Sequence, residues 1–443
     1  MHYDPLISAS PQGQANASSY WADTIDLGQA EPALKYSQHC DVAIIGGGYT
    51  GLLTAYYLAS EFNLDCQVLE ANQVGFGASA RNAGFVLKGS GRLGYAAMTK
   101  RWDLATAKGI YHEFSEAVTR VQHLIEQHEI DCDKQPMGYI KVAHNAKALQ
   151  QLSQANDFIT KHLGDDAQLL TRHQLYSDYM HNQQALGALR VKQSFGVNPL
   201  KLLLGYKCAA LAAKVKINEH SCVLDWQQQH GKHRLVTADG ELLASKVICA
   251  GNGYSSKQLS SAIDNKFLPF LSNIIVTEPL TQAELEQAGL QTHQVTMDTR
   301  ILKYYYRLLP DNRILFGGRG AVWGRDSHDD IYAQRLKLAL DKCFPVCANK
   351  KVDYQWHGWI AASMDDMPHV YLDGTTGYSL GYCGSGVAFS AQAAYRLAQQ
   401  VAGITVPNLP LYTQPLPKLP FANLRRYGQW GYYHYGWLKD RWG

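Results

Sequence analysis

Hydrophobic residues first gather in a short run at 41–45 (Asp-Val-Ala-Ile-Ile), and a glycine-rich hexad at 46–51 follows at once. Residues 52–60 then carry a helical apolar pattern, and a second apolar run ends at Glu70. The order strand, tight turn, helix, strand predicts a βαβ unit. Near-continuous apolar strands of this kind suit a parallel sheet covered on both faces. Residues 105–185 read mainly as helices, interrupted by a strand-like piece at 138–142. A second βα-type segment runs from Leu200 to a strand at 214–217, then a hairpin around Gly231 and an apolar strand at 246–250. Between 265 and 345 the pattern alternates with period two, as in 303–308 (Lys-Tyr-Tyr-Tyr-Arg-Leu). Strand, glycine turn and helix return at 378–401.

Nucleotide-type segments separated by two insertions predict a discontinuous domain with a second one threaded through it. The expected class is α/β. A Rossmann-like domain occupies 38–104, 190–262 and 346–405, and an α+β domain on an antiparallel sheet occupies 105–189 and 263–345. Residues 1–37, with Pro5, Pro11 and Pro32, read as an arm over the surface. The tail, 406–443, mixes cations and aromatics: Arg425, Arg426, Tyr427, Trp430, Tyr432, Tyr433, Tyr435, Trp437 and Trp442. Packing on the protein's own surface is its default reading. A peripheral membrane or partner-subunit contact is the alternative.

Composition changes this picture little. Of 443 residues, 46% are hydrophobic and 18% charged, and a formal net charge of +3 gives no nucleic-acid footprint. The 27 tyrosines and nine tryptophans suit an aromatic pocket or a tyrosine-rich core. Nine scattered cysteines without a C-x-x-C pair or zinc-type spacing predict a reduced, cytoplasmic protein without a metal site. No basic and apolar leader and no run of membrane-span length are expected.

The hexad Gly46 to Gly51 satisfies G-x-G-x-x-G in the required context, after a strand and before a helix. Gly46 permits the turn, Gly48 lets a pyrophosphate approach the main chain, and Gly51 lets helix and strand pack closely. The helix start offers free N–H groups to the phosphates. Glu70 stands where a carboxylate accepts both ribose hydroxyls and repels a 2′-phosphate. Residues 74–84 then form a long loop of small side chains, suited to following an extended cofactor from phosphates to an isoalloxazine ring. Phe76, Phe85 and Val86 argue against a flexible linker. FAD is therefore the expected cofactor.

These residues resemble the D-amino-acid oxidase (DAO) superfamily of FAD enzymes, and within it the gamma-glutamylputrescine oxidase branch. The likeness lies in 41–51, Glu70 and 75–84, with Ser19, Tyr20 and Trp21 ahead of them. It continues through 196–199, 247–254, 304–307, 313–319, 356–358, 365–368 and 381–387. The resemblance implies a glutathione-reductase type FAD domain. Gly46, Gly48, Tyr49, Thr50, Gly51 and Glu70 would hold the dinucleotide, with Val223 at the adenine end and Ala250 and Gly251 beside it. Gly77, Ala78, Ser79, Arg81, Asn82, Ala83 and Gly84 would line the flavin. Gly358 would face it, and Gly381, Cys383, Gly384, Ser385, Gly386 and Val387 would close over its pyrimidine side.

Departures from the family pattern narrow the expectation. Gly358 occupies the place of the cysteine that tethers the flavin in sarcosine oxidases, so non-covalent FAD is expected. Leu315 replaces their oxygen-activating lysine, which leaves O₂ or a quinone as the acceptor. Trp359 follows Gly358 where amino-acid oxidases keep a carboxylate-binding arginine. Cys383 and Ser385 alter the closing turn.

The expected reaction is oxidation of a small-molecule amine (polyamine, gamma-glutamylated amine or N-alkyl amine) by hydride transfer, the imine then hydrolysing to an aldehyde. Tyr304, Tyr306, Trp356 and Trp359 are candidate pocket walls, with Arg307 facing substrate. Strand alternation puts Tyr304 and Tyr306 on one face, Tyr305 and Arg307 on the other, and the first pair is slightly preferred. Lys88 is a candidate replacement for the missing lysine, against a solvated surface charge. His357 and the Asp365–Asp366 pair read as structural. The rival classes are an FAD-dependent amino-acid dehydrogenase passing electrons to a quinone, and a flavin-binding sensor or assembly protein without turnover.

Overall fold

Two eight-stranded sheets organise the chain. The structure, a computed structural model, describes residues 3–256 and 259–442, with the side chain of the tail's Trp442 outside that set. In the first sheet the order is His369–Asp373, Thr376–Leu380, Gly240–Cys249, Tyr36–Ile45, Cys66–Leu69, Lys216–Asn218. Its central pairings are parallel, as the apolar runs predicted. The hairpin Asp225–Gln229 and Lys232–Val236 hangs antiparallel on Gly240–Cys249. Helices Tyr49–Phe62, Pro199–Ala212 and Gly386–Val401 pack against this sheet through one apolar core.

The second sheet runs Val352–Ala362, Leu268–Thr277, Ile314–Arg319, Tyr305–Leu308, Val295–Asp298, Tyr139–Ala143, Gly187–Val191, Ala167–Thr171. It is antiparallel except where Val295–Asp298 runs parallel to Tyr139–Ala143. One face carries its own core under helix Ile331–Cys343, with Tyr306, Phe316, Leu340 and Phe344 buried. The opposite face looks toward the first sheet.

Three elements lie elsewhere than their sequence position suggested. Val352–Ala362, grouped above with the Rossmann-like segments, is the edge strand of the second sheet, paired along its length with Leu268–Thr277. Helix Leu104–Gln127, started by the Asp103 carboxylate accepting from Thr106 N at 2.7 Å, was grouped with the inserted domain. It packs instead on Gly386–Val401, where the buried Glu113 carboxylate accepts from Arg396, Gln392 and the Tyr412 hydroxyl. The arm is not superficial either. Trp21 is 1% exposed, and its indole donates to the Asn82 carbonyl at 2.9 Å. Burying so large an apolar surface outweighs ordering a polar arm.

The tail forms helix Arg425–Trp442, and one face of it packs on the body. Arg425 donates to the Phe267 carbonyl, Arg426 to the Pro269 carbonyl and Asp4, and Asp440 accepts from the N–H groups of Ile301 and Leu302. Tyr427, Trp430, Tyr432, Tyr435 and Trp437 remain exposed. Among the described residues no helix is long and apolar enough to cross a membrane.

Candidate functional site

Two adjoining cavities lie between the sheets, sharing Ala78, Asn82, Ile360, Gly384 and Val387 as common wall. The first encloses about 1320 Å³ of open space and follows the carboxyl ends of the parallel strands. Its lining joins the Gly46–Thr50 turn, Glu70 and the Gly384–Val387 turn along one groove, which suits an extended dinucleotide. Its floor is main chain. Gly46 has φ of +112°, and a Cβ there would press the Ala250 main chain at 3.1 Å. A Cβ on Gly51 would come within 1.9 Å of the Gly46 carbonyl oxygen, so helix and turn meet only without a side chain. Gly48 caps helix Tyr49–Phe62 without a side-chain bond. The Glu70 carboxylate accepts from Gly47 N at 2.8 Å and Asn72 N at 3.0 Å. Burial pushes its pKa up, and these N–H groups pull it back.

Of the predicted cofactor residues, Gly46, Gly48, Tyr49, Thr50, Glu70, Gly77, Ala78, Ser79, Asn82, Val223, Ala250, Gly251, Gly384, Gly386 and Val387 line this first cavity. Arg81, Ala83, Gly358 and Cys383 line the second. Four line neither cavity. Gly51 lies beneath the turn. Gly84, at φ of +72°, packs on the Val197 carbonyl. Gly381 donates its N–H to Asn252, and the Ser385 hydroxyl donates to the Gly89 carbonyl at 2.6 Å. Their task is to fix the turns that carry the walls.

The second cavity, about 880 Å³, is floored by one face of the second sheet. Register puts Ser272, Arg319 and Gly358 in one row and Met297, Tyr305 and Gly317 in another, all on that face. Phe85 and Leu87 supply apolar wall. The Tyr305 ring lies over Gly317, whose absent side chain makes the room, and its hydroxyl meets Ser272 Oγ at 2.8 Å. Lys303 reaches in from the strand's start, its ammonium donating to the Gly91 carbonyl at 2.7 Å.

Most of the expected catalytic side chains are elsewhere. Tyr304 and Tyr306 face the opposite side of the sheet. Tyr306 stacks on Phe316 and takes a hydrogen bond from Asn182 at 2.5 Å, while Tyr304 packs over Phe316 and Gly318. The preferred alternation was therefore the wrong one. Arg307 is on the cavity-facing side but sits behind Phe85, donating to Gln135 and the Val197 carbonyl at 2.6 Å each. Lys88 is held by Asp165 at 2.9 Å and the Tyr111 hydroxyl at 2.5 Å, lines neither cavity and is not a solvated charge. Trp359 does reach the second cavity, but its indole donates to the Tyr3 carbonyl and Arg426 covers its ring at 4.8 Å. The Trp356 indole donates to the Arg81 carbonyl.

Sequence reading ranked Tyr305 second and missed Lys303, Arg319, Ser272 and Met297. The glycine at 317 was the available signal for Tyr305, but the adjacent Gly318 lies against Tyr304 on the other face, and the sequence does not tell the two apart.

The family model for DAO, FAD dependent oxidoreductase, matches residues 41–400. Gamma-glutamylputrescine oxidoreductase of Escherichia coli (strain K12) is 32% identical over 408 residues, 90% of this chain and 93% of that protein. Among solved structures, L-amino acid deaminase from Proteus myxofaciens in complex with anthranilate superposes with a TM-score of 0.71 at 16% identity, covering 91% of this chain and 98% of the other. Glycine oxidase from Geobacillus kaustophilus gives 0.69 at 19% identity, covering 86% and 99%.

Proposed function

Because this chain belongs to the DAO family of FAD-dependent oxidoreductases and acts on CH–NH donors of the amine or amino-acid class, we propose that its substrate is a gamma-glutamylated amine oxidised at a C–N bond. The observation that carries this reading is the continuity of the two cavities, with a glycine-rich cleft along the strand ends adjoining a separate, partly apolar chamber. FAD, held without a covalent tether, supplies the hydride acceptor. The cradle of Gly46 and Gly48 with the Glu70 carboxylate would hold its nucleotide half, and Arg81, Gly358 and the 383–387 turn would flank its ring.

The protein's own contribution is position and dryness. Phe85, Leu87, Ile274 and Met297 give the chamber a largely apolar wall, which disfavours an ammonium and favours the neutral amine that can release hydride. The Tyr305 hydroxyl, paired with Ser272, gives one fixed polar contact on the floor. The α-carbon would give its hydride to the bound flavin and the nitrogen a proton to solvent, and water adding to the resulting imine releases an aldehyde together with the free amine or ammonia.

The test is anaerobic mixing of the yellow holoprotein with gamma-glutamylated amines, polyamines, N-methyl amines and free amino acids. The reading expects bleaching by a gamma-glutamylated amine at the lowest concentration, and it fails if none of these reduces the flavin. Reoxidation by O₂ against a quinone then separates oxidase from dehydrogenase.

A further inference from the structure

The second cavity is cationic without compensation. Its charged lining residues are Arg81, Lys303 and Arg319, and no carboxylate stands among the described ones. Arg81 is occupied by the carbonyls of Phe76, His357 and Ala15. The other two have no ion pair among the described residues: Lys303 bonds only the Gly91 carbonyl, and Arg319 lies over the Phe270 ring at 4.5 Å. We infer that Lys303 and Arg319 form an anion subsite that holds a carboxylate of the substrate, so that a plain diamine or polyamine is a poor substrate.

The surroundings support this assignment. Lys303 is faced by Lys141 from strand Tyr139–Ala143, Arg319 from Ile314–Arg319, Arg92 from the loop after Phe85–Val86 and Asp298 from Val295–Asp298. Asp298 is already paired with Arg300, and Arg92 is paired with Asp366 at 2.7 Å. The Tyr305 hydroxyl is committed to Ser272, and Asp440 on the tail helix to two main-chain N–H groups. An excess of positive charge therefore remains on Lys303 and Arg319. Two cations facing one partly buried, largely apolar cavity repel each other, and an arriving anion relieves that repulsion. Burial and the neighbouring cations push the Lys303 ammonium down to about 7, a state that an incoming carboxylate reverses. Met297 and Tyr305 beside the pair leave room for an alkyl chain.

This inference rests on the amine reading above, and its test is separable from it. The probes are two unreactive ligands of one shape, N-butylglutaramate with a carboxylate and N-butylglutaramide with a carboxamide, titrated into the oxidised holoprotein by calorimetry and by the shift of the flavin spectrum. The carboxylate should bind at least about tenfold more tightly, as expected for charge-assisted bonds. Lys303→Gln and Arg319→Gln should each bring the two affinities together, and Lys303→Arg should restore the difference. Raising pH through 7 should weaken only the carboxylate, by about tenfold per pH unit, because binding then requires proton uptake. That slope should vanish in Lys303→Gln. Flavin content shows that each variant is folded. Equal wild-type affinities, or a preference untouched by both glutamines, would overturn the subsite. If the preference appears and depends on both cations while no amine bleaches the flavin, the subsite stands and the reaction assignment falls.

Discussion

The two cavities are built from different materials. The first is built round eight glycines and the main-chain turns they allow, and Glu70 is the only charged residue among its described lining residues. The second is walled by side chains from one sheet face, where Tyr305, Lys303 and Arg319 stand among apolar neighbours. A main-chain site is fixed by the few positions where no Cβ fits, so it tolerates little there. A side-chain site is fixed by which face of a strand looks inward, and its identity can change while the fold stays the same.

The largest expected effect follows directly. Gly51→Val places branched carbon against the Gly46 carbonyl, which a Cβ alone already approaches to 1.9 Å. The variant should emerge insoluble or without flavin, read as flavin absorbance per protein. Gly48→Ala meets only the Ser79 hydroxyl, at 2.9 Å, and that side chain can turn aside. It should keep its flavin with weakened affinity. Equal tolerance at both glycines would break the main-chain account of the first cavity.

Next come the two faces of the Tyr305–Leu308 strand. Tyr306→Ala removes a buried ring packed between Phe316 and Phe344 and should cost about 3–5 kcal/mol of stability. Tyr305→Phe keeps the ring over Gly317 but deletes the Ser272 contact. It should leave the melting temperature nearly unchanged and lower kcat/KM for the amine. Exchange of those two outcomes would show that the cavity-facing side has been misassigned.

This pair also shows where the sequence stops speaking. The glycine hexad, its strand and Glu70 were legible because each has one physical reason to be there. The neighbouring tyrosines 304–306 gave no such handle, since Gly317 and Gly318 open space on both faces and period-two alternation cannot say which is inside. Nothing in the sequence singles out Lys303, since an isolated lysine at a strand start ordinarily points to water. Lys88 was chosen for its nearness to the flavin loop, and only the fold brings Asp165 and Tyr111 to it across the helical insertion. Sequence distance likewise concealed that Val352–Ala362 and Trp21 belong to the walls between the sheets.

Lys88 supplies the third prediction. Lys88→Met leaves the Asp165 carboxylate without its cation in a site where the lysine side chain is 6% exposed. Stability should fall by about 1–3 kcal/mol, the usual cost of an unsatisfied buried polar group, with kcat unaltered. A large loss of reoxidation rate by O₂ at unchanged stability would return Lys88 to the flavin's neighbourhood.

The smallest effect concerns the exception in the first cavity, the one charge in its main-chain wall. Both Glu70 oxygens are occupied by N–H donors, of Gly47 and Asn72. Burial nevertheless leaves its pKa above the ordinary carboxylate value. The folded protein therefore holds a proton there more tightly than the unfolded chain does. Stability of the flavin-free protein should fall as pH rises from the ordinary carboxylate range through the folded-state pKa, because the unfolded chain ionises first. Glu70→Gln cannot ionise, so urea melts taken across that window should lose this part of the slope. Glutamine also replaces one acceptor by a donor, leaving either Gly47 or Asn72 unpaired, so flavin affinity should drop modestly even at neutral pH. A slope identical in both proteins would mean that the N–H groups outweigh burial at Glu70 and that the carboxylate belongs, energetically, to the main-chain wall.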